Sequence, residues 1–78
     1  MSPDKLVRMA NQIGTFFAHQ GHEPDADETA VVAIAKHLDD FWDPSMRRAI
    51  VAHGATGGAG LDPLVKRAVD RLAAEAGA

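Results

Sequence analysis

The 78-residue sequence predicts an all-α protein: a small single domain, residues 1–78, of about four helices with a glycine-rich loop before the last. Three observations carry that expectation. Ser2-Pro3, Asp43-Pro44 and Asp62-Pro63 each set a capping residue before a proline, the signature of a helix start. Apolar residues then recur at helical spacing. No stretch alternates with a period of two for long enough to form a strand.

The first helix is expected over about residues 3–19, where Leu6, Met9, Ala10, Ile13, Phe16 and Phe17 fall in a stripe about 120° wide. His19-Gln20-Gly21-His22-Glu23-Pro24 follows as a linker, with Gly21 suited to a left-handed turn. Glu23-Pro24-Asp25 announces the second helix, about 26–42, with Val31, Ile34, Ala35, Leu38, Phe41 and Trp42 on one face. The third, about 44–53, carries Met46, Ala49 and Ile50 on one side, and Gly54 is a candidate stop. A flexible connector, residues 54–60, leads through Leu61 to the Asp62 cap of the fourth helix, about 63–76, whose face is Leu64, Val65, Ala68, Val69 and Leu72. Off-stripe Val7, Val32 and Val51 add apolar surface that so small a core does not obviously absorb.

Composition narrows the function. Eight basic against eleven acidic residues give a net charge of −3, where a nucleic-acid-binding domain carries a basic face. The charge is uneven: residues 1–45 hold three basic and eight acidic side chains, residues 46–78 five and three. Without cysteine there is no disulfide, thiolate metal site or thiol nucleophile, and a reducing compartment is expected. Met1-Ser2-Pro3-Asp4-Lys5 shows no signal-peptide pattern, and no apolar stretch reaches the roughly 18–20 residues of a membrane span. The expected location is the cytoplasm.

Possible chemical sites each have a plainer reading. The glycine loop follows a helix, lacks the P-loop lysine and enters the next helix through a carboxylate, so a connector or backbone docking surface is expected rather than a phosphate cradle. His19 and His22 straddle a helix end, His37 lies just off the apolar stripe and His53 closes the third helix; surface and capping roles are expected, and no metal site. Asp39 and Asp40 fall on the polar side and Asp43 has a capping role. Ser2 and Ser45 sit at helix starts without a histidine beside them. No catalytic, cofactor-binding or metal-binding residue is therefore expected. The corner Phe41, Trp42, Asp43, Pro44, Met46, Arg47 and Arg48 combines aromatic, methionine and arginine residues as partner-binding surfaces do, although Phe41 and Trp42 also fit the buried stripe.

The run from Lys5 to Ile13 with Phe16-Phe17, then His37-Leu38, Phe41-Trp42-Asp43-Pro44, Met46-Arg47, Gly57-Gly58, Leu61 and Pro63-Leu64-Val65 resembles the delta subunit of NAD-dependent, molybdenum-containing formate dehydrogenases. The resemblance covers nearly the whole chain, and the Phe-Trp-Asp-Pro segment is its most specific part; Ser45 stands where such proteins more often carry a basic residue. It implies a cofactor-free accessory subunit, not itself an enzyme, that supports assembly, stability or molybdenum-cofactor maturation of the catalytic alpha subunit. The implied complex oxidises formate to carbon dioxide with NAD. Its alpha, beta and gamma subunits carry bis-molybdopterin guanine dinucleotide, iron–sulfur clusters and FMN. The alternatives are a free-standing assembly chaperone or regulatory binding module not retained in the finished enzyme, and a tiny enzyme acting alone. No nucleic-acid or membrane partner is expected.

Overall fold

A computed structural model of the chain describes residues 3–18 and 25–76. They form four helices: α1 Pro3–Ala18, α2 Ala26–Phe41, α3 Pro44–Ala55 and α4 Pro63–Ala76. The Ser2 cap, the Gly21 turn, the Glu23-Pro24 start, His19 and His22 all lie outside the described residues.

The helix boundaries follow local chemistry. α2 stops at Phe41 because Trp42 turns extended (φ −86°, ψ 139°), its N–H still reaching the Leu38 carbonyl at 3.1 Å. Asp43 precedes a proline, which disfavours helical geometry, and it too is extended. Pro44 then opens α3 at a position that needs no backbone donor. At the other end Gly54 does not stop α3. It lies buried inside the helix, where an added Cβ would stand 2.8 Å from Val69 Cγ1, and so lets α3 close onto α4. The chain leaves the helix at Thr56, whose N–H and hydroxyl both donate to the His53 carbonyl, at 3.2 and 3.0 Å.

The core is one cluster. Leu6, Val7 and Ala10 of α1 meet Val31, Ile34, Ala35 and Leu38 of α2, Ile50 of α3, and Val65, Ala68, Val69 and Leu72 of α4, with Trp42 closing one end. Full burial of each large aliphatic side chain contributes about 1.5–3 kcal/mol, a substantial share for so short a chain. α1 departs from its predicted face. Gly14 is buried where any side chain would overlap Val65 Cγ2, so α4 seats against that side and rotates the buried arc toward Val7. Val7 is thereby absorbed into the core, and Phe16, expected on the stripe, is 61% exposed. Val51 packs partly against the core, while Val32 stays exposed.

The polar surface is laced by ion pairs: Lys36–Asp40 at 3.0 Å, Lys66–Asp70 at 2.7 Å, Arg71–Glu75 at 3.3 Å, and Arg67 with Glu28 between α4 and α2. All involve exposed or half-exposed groups, so each adds at most about 1 kcal/mol.

Candidate functional site

The α2–α3 corner is built from its own backbone needs. The Asp43 carboxylate accepts the Met46 N–H at 3.0 Å and the Ser45 hydroxyl at 2.6 Å, capping the start of α3. Those bonds, the Ser45 hydroxyl first, hold the Asp43 carboxyl below its ordinary range. Arg47 reaches back across the corner. Its guanidinium donates to the Asp39 carbonyl at 3.1 Å and to the Trp42 carbonyl, covering acceptors at the end of α2 with a cation where the helix dipole is negative.

This geometry divides the seven residues of the predicted binding corner. Trp42, 5% exposed, belongs to the core, and Met46 packs against it. Asp43 and Arg47 hold the turn. Phe41, Pro44 and Arg48 face solvent, Phe41 at 74% exposure. Phe41 has the right helical angle for the buried stripe but occupies the last turn of α2, where no described element covers it.

A larger feature surrounds Phe41. The rings of Phe16 and Phe17 meet edge-on with centroids 5.2 Å apart, Phe17 stands 6.0 Å from His37, and His37 lies 4.7 Å from Phe41. This aromatic row crosses from α1 to α2 and walls a groove of about 460 Å³ whose lining includes Met9, Gln12 and Ile13. The predicted corner contained only its last ring. The signal for the rest was the position of His37 beside the stripe and the adjacent Phe16-Phe17 pair, whose side chains leave a helix about 100° apart.

The glycine loop is a fastened turn. Gly58 N–H donates to His53 O at 3.0 Å, and Leu61 N–H to Gly58 O at 3.0 Å. His53 Nε2 contacts the Ala59 carbonyl at 2.7 Å, an acceptor that fixes the imidazole proton on that nitrogen. Asn11 spans the far side, its amide donating to Gly60 O and its carbonyl accepting the Asp62 N–H, both at 2.9 Å. Gly58 and Gly60 hold φ of +66° and +85°, which only glycine adopts without strain. The N–H groups of Gly58, Leu61 and Asp62 are thus spent on fastening the loop.

His37 and His53 therefore have ring-packing and loop-fastening roles. Among the described residues no group of three or more His, Cys, Asp or Glu side chains could hold a metal ion. Asp39 and Asp40 are exposed. No helix among the described residues is long and apolar enough to cross a membrane.

A family model described as the NADH-dependent formate dehydrogenase delta subunit FdsD matches residues 5–69. That span contains the aromatic row, the α2–α3 corner and the fastened loop. No curated protein and no solved structure matches the chain.

Proposed function

Because the chain belongs to the family of delta subunits of NADH-dependent formate dehydrogenase, we propose that it is a non-catalytic accessory subunit. In this reading it docks on the catalytic alpha subunit and supports assembly, stability or molybdenum-cofactor maturation there. One observation carries the reading. Two of the three phenylalanines, Phe16 and Phe41, are exposed at 61% and 74% on one continuous aromatic row. A chain with so little large apolar material gains nothing from leaving it in water, and a contiguous exposed aromatic surface is the usual mark of a protein contact.

Docking would use the exposed part of the predicted corner, Phe41, Pro44 and Arg48, together with Phe16 and His37. Trp42, Asp43, Met46 and Arg47 hold that surface in shape. The physical effect is linkage: a subunit that binds the folded, cofactor-competent state of its partner better than other states raises the population of that state. Iron–sulfur ligation falls to the larger subunits in this reading, since this sequence contains no cysteine.

The test is co-expression with the other formate dehydrogenase subunits, the tag placed on the catalytic one. Stoichiometric recovery of this chain is expected, with F16D/F41D lost from the complex. Omitting the chain is expected to lower molybdenum content and formate oxidation. Undiminished activity and molybdenum without it would defeat the proposal. Recovery of the chain only with the immature enzyme would favour a transient assembly chaperone instead.

A further inference from the structure

The corner carries two adjacent arginines with different fates. Arg47 is committed to the carbonyls of Asp39 and Trp42. Arg48 is exposed and makes no hydrogen bond or ion pair with another described residue. It lines a second groove, of about 400 Å³, together with Arg47, Pro44, Val51, Leu72, Asp39 and Glu75. Glu75 is engaged by Arg71 at 3.3 Å, which leaves the exposed Asp39 as the available carboxylate of that groove. The groove thus combines apolar side chains with a guanidinium that no other described residue engages and with an exposed carboxylate.

We propose that this groove takes an amphipathic segment of a neighbouring formate dehydrogenase subunit, one that sets an aliphatic side chain against Val51 and Leu72 and a carboxylate on Arg48. Charge complementarity fixes the segment's pattern: the apolar residue is flanked by an acidic residue toward Arg48 and a basic one toward Asp39. Arginine suits the first contact because its planar fork can hold a carboxylate through two parallel bonds. A second copy of this chain could also pair Arg48 with Asp39 across a two-fold axis. Two grooves facing each other would leave both uncovered, so the shape favours a convex partner. This inference rests on the docking reading above and names the chemistry that meets Arg48 within it.

The experiment again uses the co-expressed complex with the tag on the catalytic subunit, comparing wild type, R48K and R48E. Retention of the chain is expected to fall about tenfold or more for R48E, because a carboxylate would face a carboxylate, and by an intermediate amount for R48K. The isolated R48E chain should keep the wild-type circular dichroism and melting temperature, since Arg48 bonds to no other described residue. Wild-type retention of R48E, with F16D/F41D lost, would overturn this inference and leave docking through the aromatic row standing. So would unfolding of isolated R48E, or a wild-type dimer that R48E splits. Failure of the wild-type chain to co-purify would remove both.

Discussion

Phe41 and Trp42 are neighbours in the chain and opposites in the fold: the indole is 5% exposed and the phenyl ring 74%. The extended geometry of Trp42 produces the split, turning one ring under the corner while the other stays on the last turn of α2. Stability and partner contact are therefore carried by different residues of one dipeptide. Trp42→Ala should remove about 3–5 kcal/mol. Total stability at this length is roughly 4–12 kcal/mol by the usual per-residue range, so that loss approaches unfolding. Phe41→Ala should change stability by no more than about 0.5 kcal/mol. Urea unfolding of the two variants decides the matter, and comparable losses would contradict the division.

Gly14 is a second position where ordinary expectation reverses. Replacing a helical glycine by alanine normally stabilises by about 1 kcal/mol. Here the new methyl would overlap Val65 Cγ2, and overpacking a close helix contact costs about 1–3 kcal/mol. Gly14→Ala is thus expected to lower the melting temperature, with Val65→Ala in the same chain recovering part of the loss. A higher melting temperature for Gly14→Ala would show that α1 and α4 are not held this closely.

Asn11 ties α1 to the glycine loop through two bonds of 2.9 Å. Asn11→Ala should cost about 1–2 kcal/mol for the pair. A more selective readout is amide hydrogen exchange, where the Asp62 N–H should lose protection while amides within α2 keep theirs. Unchanged protection at Asp62 would mean that the loop is held by other means.

The Asp43 cap has a pH signature. Its folded carboxyl is held below the ordinary range, so the folded state favours the ionised form. The stabilisation is then complete above the unfolded value of about 3.9 and is lost as pH falls through the depressed folded value. The stability gap between wild type and Asp43→Ala should be constant at neutral and mildly acidic pH and close only below about pH 4. Asp43→Asn caps without titrating, so its advantage over alanine should persist at low pH. A gap that shrank near neutrality would point to another group.

Helix starts were legible because their chemistry is local. A capping residue followed by proline needs no tertiary information, and Pro44 and Pro63 open their helices as predicted. Faces and ends were less legible where two elements meet. Gly54 reads as a stop in isolation but is a contact surface once Val69 is beside it, and Gly14 redirects the face of α1 for the same reason. The aromatic row escaped notice because Phe16 and Phe17 are 20 or more positions from His37 and Phe41, and only the crossing of α1 and α2 brings them together. That Arg47 and Arg48 differ was equally invisible, since the distinction lies in which carbonyls the turn leaves within reach.

The embrace of α1 by the far end of the chain also bears on how the protein comes into being. Asn11 waits for Gly60 and Asp62, and Gly14 for Val65. During synthesis α1 emerges well before α4, so these particular contacts of α1 form only once the fourth helix has been made. A nascent chain that stops short of α4 lacks Val65, Ala68, Val69 and Leu72, which complete the core against the other three helices. The core therefore cannot close until α4 is available, and until then the polypeptide presents apolar surface of the kind chaperones recognise.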